Sequence, residues 1–230
     1  MKVSKHDLKA EQTSSLLHSA AAAADGGVMA ILRHSARHYP QQPEQEAFMT
    51  LTEEGKSFAS DLGAALAREM KPRLFSSFIT RCIETAYLVA TGYAMTHGLF
   101  PAPPAVGREL TPFYLNDIPA AVARQQQVGH DTYLRMWLDG KLPVAEIEAP
   151  EASARAIARF MTGVLDDLPP GEIGIGITHD WNIFPVKEFL LHQPHEQAGQ
   201  IGYLEAVVLF RQAGELFLQG ICGDKVRYEP

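Results

Sequence analysis

The chain has 230 residues, of which 46% are hydrophobic and 20% are charged, and its formal net charge is −7. This composition is that of an ordinary globular domain and excludes collagen-like, low-complexity and wholly disordered chains. The acidic balance disfavours nucleic-acid binding, because phosphate backbones are bound by Lys and Arg. Two cysteines exclude a disulfide framework and a four-cysteine zinc site, and no apolar stretch is long enough to predict a membrane span.

Residues 1–27 predict an N-terminal helix or a tail ahead of the main fold. Three lysines, Lys2, Lys5 and Lys9, precede an alanine run at residues 20–24, which is loosely similar to a secretory signal. Acidic residues interrupt the lysine-bearing part, and such signals lack them. We therefore expect a cytoplasmic protein, with a periplasmic one as the less favoured alternative.

Strand and helix patterns alternate along the rest of the chain. Predicted strands cover residues 28–32, 73–76 and 173–178, with a terminal hairpin at 206–210 and 216–221. Predicted helices cover residues 52–70, 83–95, 120–138, 151–168 and 182–191, and the proline-rich stretch at 101–119 is expected to be irregular. The order predicts an α/β fold, a three-layer α/β/α sandwich with a mostly parallel central sheet. Residues 28–230 are expected to form one domain, with a small cap at about 101–150.

Charged and nucleophilic side chains follow the predicted strands, at the point where each strand ends. They are Arg33, His34 and Arg37 after the first strand, Arg81 after the second, and His179 and Asp180 after the third. Ligands of such sheets bind at the carboxyl ends of the strands, so these side chains are expected to converge. Clustered guanidinium groups bind phosphate bidentately, and a histidine among them can attack phosphorus.

Four motifs carry a resemblance to a known family. They are Leu-Arg-His-Ser-Ala-Arg at residues 32–37, Leu-Thr-Glu-Glu-Gly at 51–55, Ser-Ser with Arg-x-x-Glu-Thr-Ala within 76–86, and Thr-His-Asp at 178–180. In this order they resemble the histidine phosphatase superfamily, which includes phosphoglycerate mutases and histidine acid phosphatases. The resemblance spans about residues 28–220 and implies a phosphoglycerate mutase-like fold.

The resemblance also implies roles for the residues in these motifs. His34 would be the nucleophile and become phosphohistidine, and His179 would stabilise charge on the phosphate in the transition state. Arg33, Arg37 and Arg81 would hold the phosphate oxygens. Phosphoryl transfer depends mostly on positioning and on compensation of oxygen charge, which guanidinium groups can supply. No metal and no cofactor is therefore expected.

Two carboxyl groups are candidates for the general acid that protonates the leaving oxygen. Asp180 follows the second histidine, as in the acid-phosphatase branch, and is favoured. Glu109 lies where the mutase-like branch places its donor glutamate. Each also has an ordinary structural interpretation, Asp180 as the N-cap of the helix that follows it and Glu109 as a surface charge.

Other positions depart from the family pattern or have two interpretations. Ser35 stands where the family commonly has Gly, so its side chain is expected either to crowd the pocket or to hydrogen-bond to the phosphate. Cys82 is interpreted as a helix core residue, although its neighbour Arg81 favours a lowered thiol pKa. In the cap, packing is the favoured role of four residues, and lining the substrate is the alternative: Tyr114, His130, Tyr133 and Trp137.

These observations predict a metal-independent phosphomonoester hydrolase that acts through a phosphohistidine intermediate. The expected substrate is a small phosphorylated metabolite or a phosphohistidine protein, with no nucleic-acid or membrane partner. A phosphomutase of the same fold is one alternative. A non-catalytic phosphate-binding or interaction module is the other.

Overall fold

The computed structural model describes residues 8–230, except for the side chains of Pro43 and Glu44. Lys2 and Lys5 of the signal-like segment lie outside the described residues. Within residues 8–230 the α-helices are α1 (Ala10–Ala23), α2 (Glu53–Ala64), α3 (Thr80–His97), α4 (Ile118–Val128), α5 (His130–Leu138), α6 (Pro150–Asp166), α7 (Asp180–Pro185) and α8 (His195–Ala198). The strands are β1 (Val28–Arg33), β2 (Lys71–Ser76), β3 (Ala105–Val106), β4 (Glu172–Thr178), β5 (Ala206–Gln212), β6 (Glu215–Gly220) and β7 (Val226–Arg227).

The strands form one sheet in the order β3-β2-β4-β1-β5-β6-β7. The pairings among β3, β2, β4 and β1 are parallel, and those from β1 through β5 and β6 to β7 are antiparallel. The predicted α/β class is confirmed, and the sheet is mixed because β5 runs antiparallel to β1. A tight turn at Ala213 and Gly214 then makes β6 antiparallel to β5. Both turn residues have positive φ, 52° and 79°. The parallel half contains every strand end at which the sequence predicted site residues.

Helices cover both faces of the sheet, which makes the predicted three layers. One core cluster joins buried residues of α1, α2 and α3 to the sheet, among them Leu17, Leu62 and Val89. The other joins residues of α5 and α6 to the opposite face, among them Trp137 and Met161. The N-terminal segment is therefore a packed helix from Ala10 onward.

Several predicted boundaries were wrong. Helix α2 ends at Ala64, not at residue 70, and β2 begins at Lys71, before the predicted residue 73. The helix predicted at 120–138 is two helices, because Gly129 between them has φ +84°. The irregular stretch at 101–119 contains the short edge strand β3 and a 3-10 turn at Arg108–Leu110. The last predicted helix begins at Asp180 and continues as a π-helix over Val186–Leu190.

The start of α2 explains the Leu-Thr-x-x-Gly motif. The Thr52 hydroxyl accepts a hydrogen bond from the Gly55 N–H at 3.0 Å and so caps the helix. A Cβ atom at Gly55 would lie 2.0 Å from the backbone oxygen of Ala36. Only glycine allows this approach, which brings α2 against the loop that carries His34.

Candidate active site

The ends of β1, β2 and β4 bring the two histidines together. His34 follows β1 and His179 follows β4, two strands that pair in parallel and in register. Their ring centroids are 5.6 Å apart in an edge-to-face arrangement, and both side chains are almost fully buried. The predicted convergence at the carboxyl edge of the sheet is therefore present in the structure.

The His34 ring is held in one tautomer. Its Nδ1 lies 2.8 Å from the Ser35 backbone oxygen, and because a carbonyl only accepts, Nδ1 carries the hydrogen. The lone pair is then on Nε2. Burial holds the pKa of His34 well below its ordinary value, and electrostatic interactions with His179, Arg81 and Arg33 lower it further. His34 is thus neutral near pH 7, which is the state in which imidazole is a nucleophile.

The His179 ring is held in the opposite tautomer. Arg81 Nη2, which can only donate, lies 3.2 Å from His179 Nδ1, so Nε2 carries the hydrogen and donates to the Ser77 hydroxyl at 3.0 Å. Ser77 also accepts a hydrogen bond from the Thr111 hydroxyl at 3.0 Å. Burial and the Arg81 charge lower the pKa of His179 to about 3. This ring is therefore a fixed neutral dipole near pH 7.

Arg37 and Arg81 meet at a carboxylate. Glu46 Oε1 lies 2.7 Å from Arg37 Nη2 and 3.2 Å from Arg81 Nη2. The Glu46 backbone oxygen also accepts a hydrogen bond from Arg81 Nη1 at 2.8 Å. Glu46 belongs to a 3-10 turn at Pro43–Phe48, between β1 and α2. The two guanidinium groups therefore already bind one anionic group, which shows that they can share a ligand.

Arg33 is held by the first residue of α7 and by the loop before β5. Its Nη2 forms an ion pair with Asp180 Oδ2 at 3.0 Å, and its Nη1 donates to the Ile201 backbone oxygen at 2.6 Å. The guanidinium lies 4.5 Å from the centre of the Tyr203 ring, within cation–π range. The loop before β5 thus fixes the direction of Arg33.

A buried ion pair supports that loop. Lys187 Nζ lies 2.7 Å from Glu205 Oε1, and the other carboxylate oxygen of Glu205 accepts the Gly202 N–H at 2.7 Å. Both charged side chains are nearly inaccessible to solvent. The pair therefore ties the π-helix to the loop that holds Arg33.

Each of the three arginines has one N–H donor that is unpaired in the described part of the chain. Nε of Arg33, Arg37 and Arg81 is buried in each case and has no hydrogen-bond partner within residues 8–230. An unpaired buried N–H is costly, and an anion that accepts from it recovers that cost. Each of these three N–H groups is therefore available to an acceptor oxygen.

The two candidate acids have different surroundings. Burial raises the pKa of Asp180, but the Arg33 charge, His179 and the Trp181 N–H outweigh it and leave that pKa below its ordinary value. Asp180 is the first residue of α7, and the N-cap position belongs to His179. Glu109 is exposed on the 3-10 turn after β3, and its backbone oxygen accepts from Asn182 at 3.3 Å.

Comparisons with known proteins identify the architecture. No family model matches this sequence, and no curated protein sequence matches it. Among solved structures, YhfR of Bacillus stearothermophilus is 18% identical with a TM-score of 0.59, over 84% of this chain and 96% of that one. The mycobacterial glucosyl-3-phosphoglycerate phosphatase Rv2419c complexed with VO3 is 19% identical with a TM-score of 0.56, over 84% and 98%. A phosphoglycerate mutase from Bacillus anthracis str. Sterne is 19% identical with a TM-score of 0.54, over 85% and 93%.

The chain has the phosphoglycerate mutase-like fold. This confirms the fold that the four motifs implied. At these identities the similarity establishes the phosphoglycerate mutase-like fold alone, so the chemistry has to be argued from the residues of the site.

Two expectations about individual residues need correction or refinement. The Ser35 hydroxyl donates to the Gly55 backbone oxygen at 2.7 Å, so it points to the start of α2 and neither crowds the pocket nor serves the phosphate. Cys82 is buried in α3 as interpreted, and burial raises the pKa of its thiol to about 12 despite the adjacent Arg81. Cys82 is therefore a protonated core thiol.

The aromatic residues of the cap mostly pack against one another. Tyr114, Tyr133 and Trp137 are buried in the core cluster, and Tyr114 stacks on Trp137 with ring centroids 5.1 Å apart. Their favoured packing role agrees with this burial. His130 is exposed and lies edge-on to Trp181, the residue after Asp180, at 5.6 Å.

The described part of the chain offers little for a metal or a membrane. Within residues 8–230, no three His, Cys, Asp or Glu side chains group closely enough to bind a metal ion. No helix in that range is both long and apolar enough to cross a bilayer.

Sequence reasoning missed two residues that contact the predicted arginines. Glu46 lies in the loop between two motifs, where a lone glutamate gives no periodic or motif signal. Tyr203 reaches Arg33 from the loop before β5, and its hydroxyl lies 2.7 Å from that of Tyr39. Both contacts depend on how loops fold back over the sheet edge, which spacing along the chain does not reveal.

Proposed function

We propose that this chain is a metal-independent phosphomonoester hydrolase that works through a phosphohistidine on His34. The observation that carries the proposal is the neutral His34 ring, with its lone pair on Nε2, among three arginines whose Nε–H groups have no partner within residues 8–230. A nucleophile beside unsatisfied cationic donors is what transfer of a phosphoryl dianion requires. The substrate class is a small phosphorylated metabolite or a phosphohistidine protein.

The proposed reaction has two displacements at phosphorus. First, the Nε2 lone pair of His34 forms a bond to phosphorus while the bond from phosphorus to the ester oxygen breaks. The leaving oxygen takes a proton from a carboxylic acid, and the product alcohol departs. Second, the carboxylate takes a proton from water as the water oxygen attacks phosphorus. The P–N bond then breaks, which releases inorganic phosphate and restores neutral His34 and the protonated acid.

The remaining roles follow the positions of the charges. Arg33, Arg37 and Arg81 hold the non-bridging oxygens, and Arg81 Nη2 fixes the His179 ring beside them. Asp180 is the favoured acid. In the free protein the pairing with Arg33 keeps it ionised. A phosphate dianion that draws Arg33 away adds negative charge beside Asp180, and both effects raise its pKa and favour uptake of the proton. Glu109 is the alternative acid.

The test is hydrolysis of p-nitrophenyl phosphate with excess EDTA, comparing the parent chain with His34→Ala. We expect turnover in the parent and at least a thousandfold loss in the variant, because no other group replaces the nucleophile. His18→Ala, on the outer helix α1, is the matched control and keeps parent activity. Acid-labile, base-stable labelling of the parent by a radioactive phosphate ester would identify the intermediate. Equal turnover in the parent and in His34→Ala would refute the mechanism.

A further inference from the structure

The Glu46 carboxylate occupies nitrogens that the proposed function assigns to phosphate oxygens. One oxygen contacts Arg37 and Arg81 together, at 2.7 and 3.2 Å, and the Glu46 backbone oxygen takes a further donor of Arg81. We propose that Glu46 is a built-in competitor for the phosphate group, and that binding of a phosphate ester displaces it. This inference rests on the proposed function, because it assumes that the two arginines bind substrate.

The segment that carries Glu46 is built so that its tip can move while its base stays fixed. At the base, the backbones of Arg37 and Leu51 form an antiparallel bridge, and the His38 N–H donates to the Thr50 oxygen at 3.0 Å. At the tip, Glu46 is held by two side-chain contacts and one backbone contact with Arg37 and Arg81, and Phe48 is 73% exposed. None of residues 45–49 is a buried core residue, so displacement of the tip breaks mainly these arginine contacts.

A phosphate dianion is the stronger ligand of the two. The carboxylate carries one negative charge, and its Oε1 contacts both arginines. A phosphate ester brings up to two charges and three non-bridging oxygens, which can also accept from the unpaired Nε–H groups. The tethered carboxylate competes at a high effective concentration, so it lowers the apparent affinity for phosphate without abolishing it. The site then selects against weakly charged esters.

The opposite interpretation is that Glu46 organises the site. Two like charges repel, and a carboxylate between Arg37 and Arg81 relieves that repulsion in the free protein. If its main effect were to hold these arginines in place for the substrate, its removal would weaken phosphate binding. The two interpretations therefore predict changes of opposite sign.

Glu46→Gln decides between them, because it removes the charge and keeps the shape and the backbone contact. The measurement is the dissociation constant of inorganic phosphate by calorimetric titration, together with its inhibition constant against p-nitrophenyl phosphate. We expect phosphate to bind about tenfold more tightly, the size of one charge-assisted contact. Glu53→Gln is the matched control, since it removes the same charge from an 89% exposed side chain that pairs with Lys56. It should leave phosphate affinity unchanged.

A second readout follows the segment itself. Hydrogen exchange of the backbone amides at residues 44–49 should quicken when phosphate saturates the parent chain, because the tip is displaced. Unchanged or weaker phosphate binding by Glu46→Gln, or slower exchange at 44–49 with phosphate, would overturn the inference.

The two proposals fail in different ways. Phosphate binding by the parent that is lost in Arg81→Met supports the arginine site, whatever Glu46→Gln does. If that binding is present and Glu46→Gln does not tighten it, only the competitor inference fails. If neither the parent nor Glu46→Gln binds phosphate, the proposed function and the inference fail together.

Discussion

Replacing His179 with Asn should remove part of the acid sensitivity of the fold. His179 is buried and neutral, and its pKa of about 3 lies below the value of about 6.5 for a histidine in an unfolded chain. At pH values between these two pKa values, the unfolded chain binds a proton at this histidine and the folded chain does not. Stability is therefore full above about pH 6.5, and is lost as the pH falls toward 3.

The size of the effect follows from the two pKa values. Between pH 7 and pH 5, an unfolded histidine with a pKa near 6.5 gains about 2 kcal/mol from protonation, and the folded ring gains almost nothing. The parent chain should lose this amount for His179, and His34 adds a loss of the same sign because its pKa is also lowered. The asparagine side chain does not titrate, so the His179→Asn variant should lose about 2 kcal/mol less than the parent.

The assay is urea unfolding at pH 7 and at pH 5, followed by the fluorescence of Trp137 and Trp181. Asparagine is a good N-cap residue for α7, and any gain from capping cancels because each variant is compared with itself at two pH values. His192→Asn removes an exposed histidine instead and controls for the loss of a ring. We expect the losses of unfolding free energy between pH 7 and pH 5 to differ by about 2 kcal/mol between the parent and His179→Asn. A difference below about 0.5 kcal/mol would refute the assignment of His179 as a buried neutral group.

Two further predictions concern the acid and the loop that holds Arg33. Asp180→Asn should slow alkyl phosphates at least tenfold more than p-nitrophenyl phosphate, whose leaving group needs little protonation; the same pattern in Glu109→Gln instead would move the acid to Glu109. Lys187→Met should cost about 3 kcal/mol in urea unfolding, because it leaves the Glu205 carboxylate buried without its partner. Adding Glu205→Gln should recover most of that loss, and no recovery would mean that Lys187 acts through packing.

The sequence predicted which strands and helices meet at the sheet edge, but it did not predict the side-chain contacts between them. Strand ends could be located because short apolar runs end in charged residues, which placed His34 and His179 correctly on one edge. The motif glycine Gly55 could be recognised, although its reason, the close approach to Ala36, is visible only in three dimensions. The Asp180 pairing with Arg33 also depends on side-chain directions that spacing cannot give.

Errors in the prediction came from local signals that tertiary structure overrode. Apolar periodicity continues past Ala64, yet the chain leaves the helix there to enter β2. Gly129 divides a continuous helical pattern because its backbone adopts a positive φ. Glu46 was missed because a glutamate in a loop belongs to no periodic pattern. Its contact with Arg37 forms only because the loop folds back over the sheet edge.

The strand order has a consequence for how this protein is made. Within residues 8–230, strand β1, which ends just before His34, pairs only with β4 and β5, and those partners are residues 173–178 and 206–210. During synthesis this buried apolar strand leaves the ribosome long before either partner exists, so the two histidines cannot meet until most of the chain has been translated. Such long-range pairing slows folding and leaves β1 exposed to aggregation in the meantime. A chain truncated before β5 should therefore accumulate as insoluble protein.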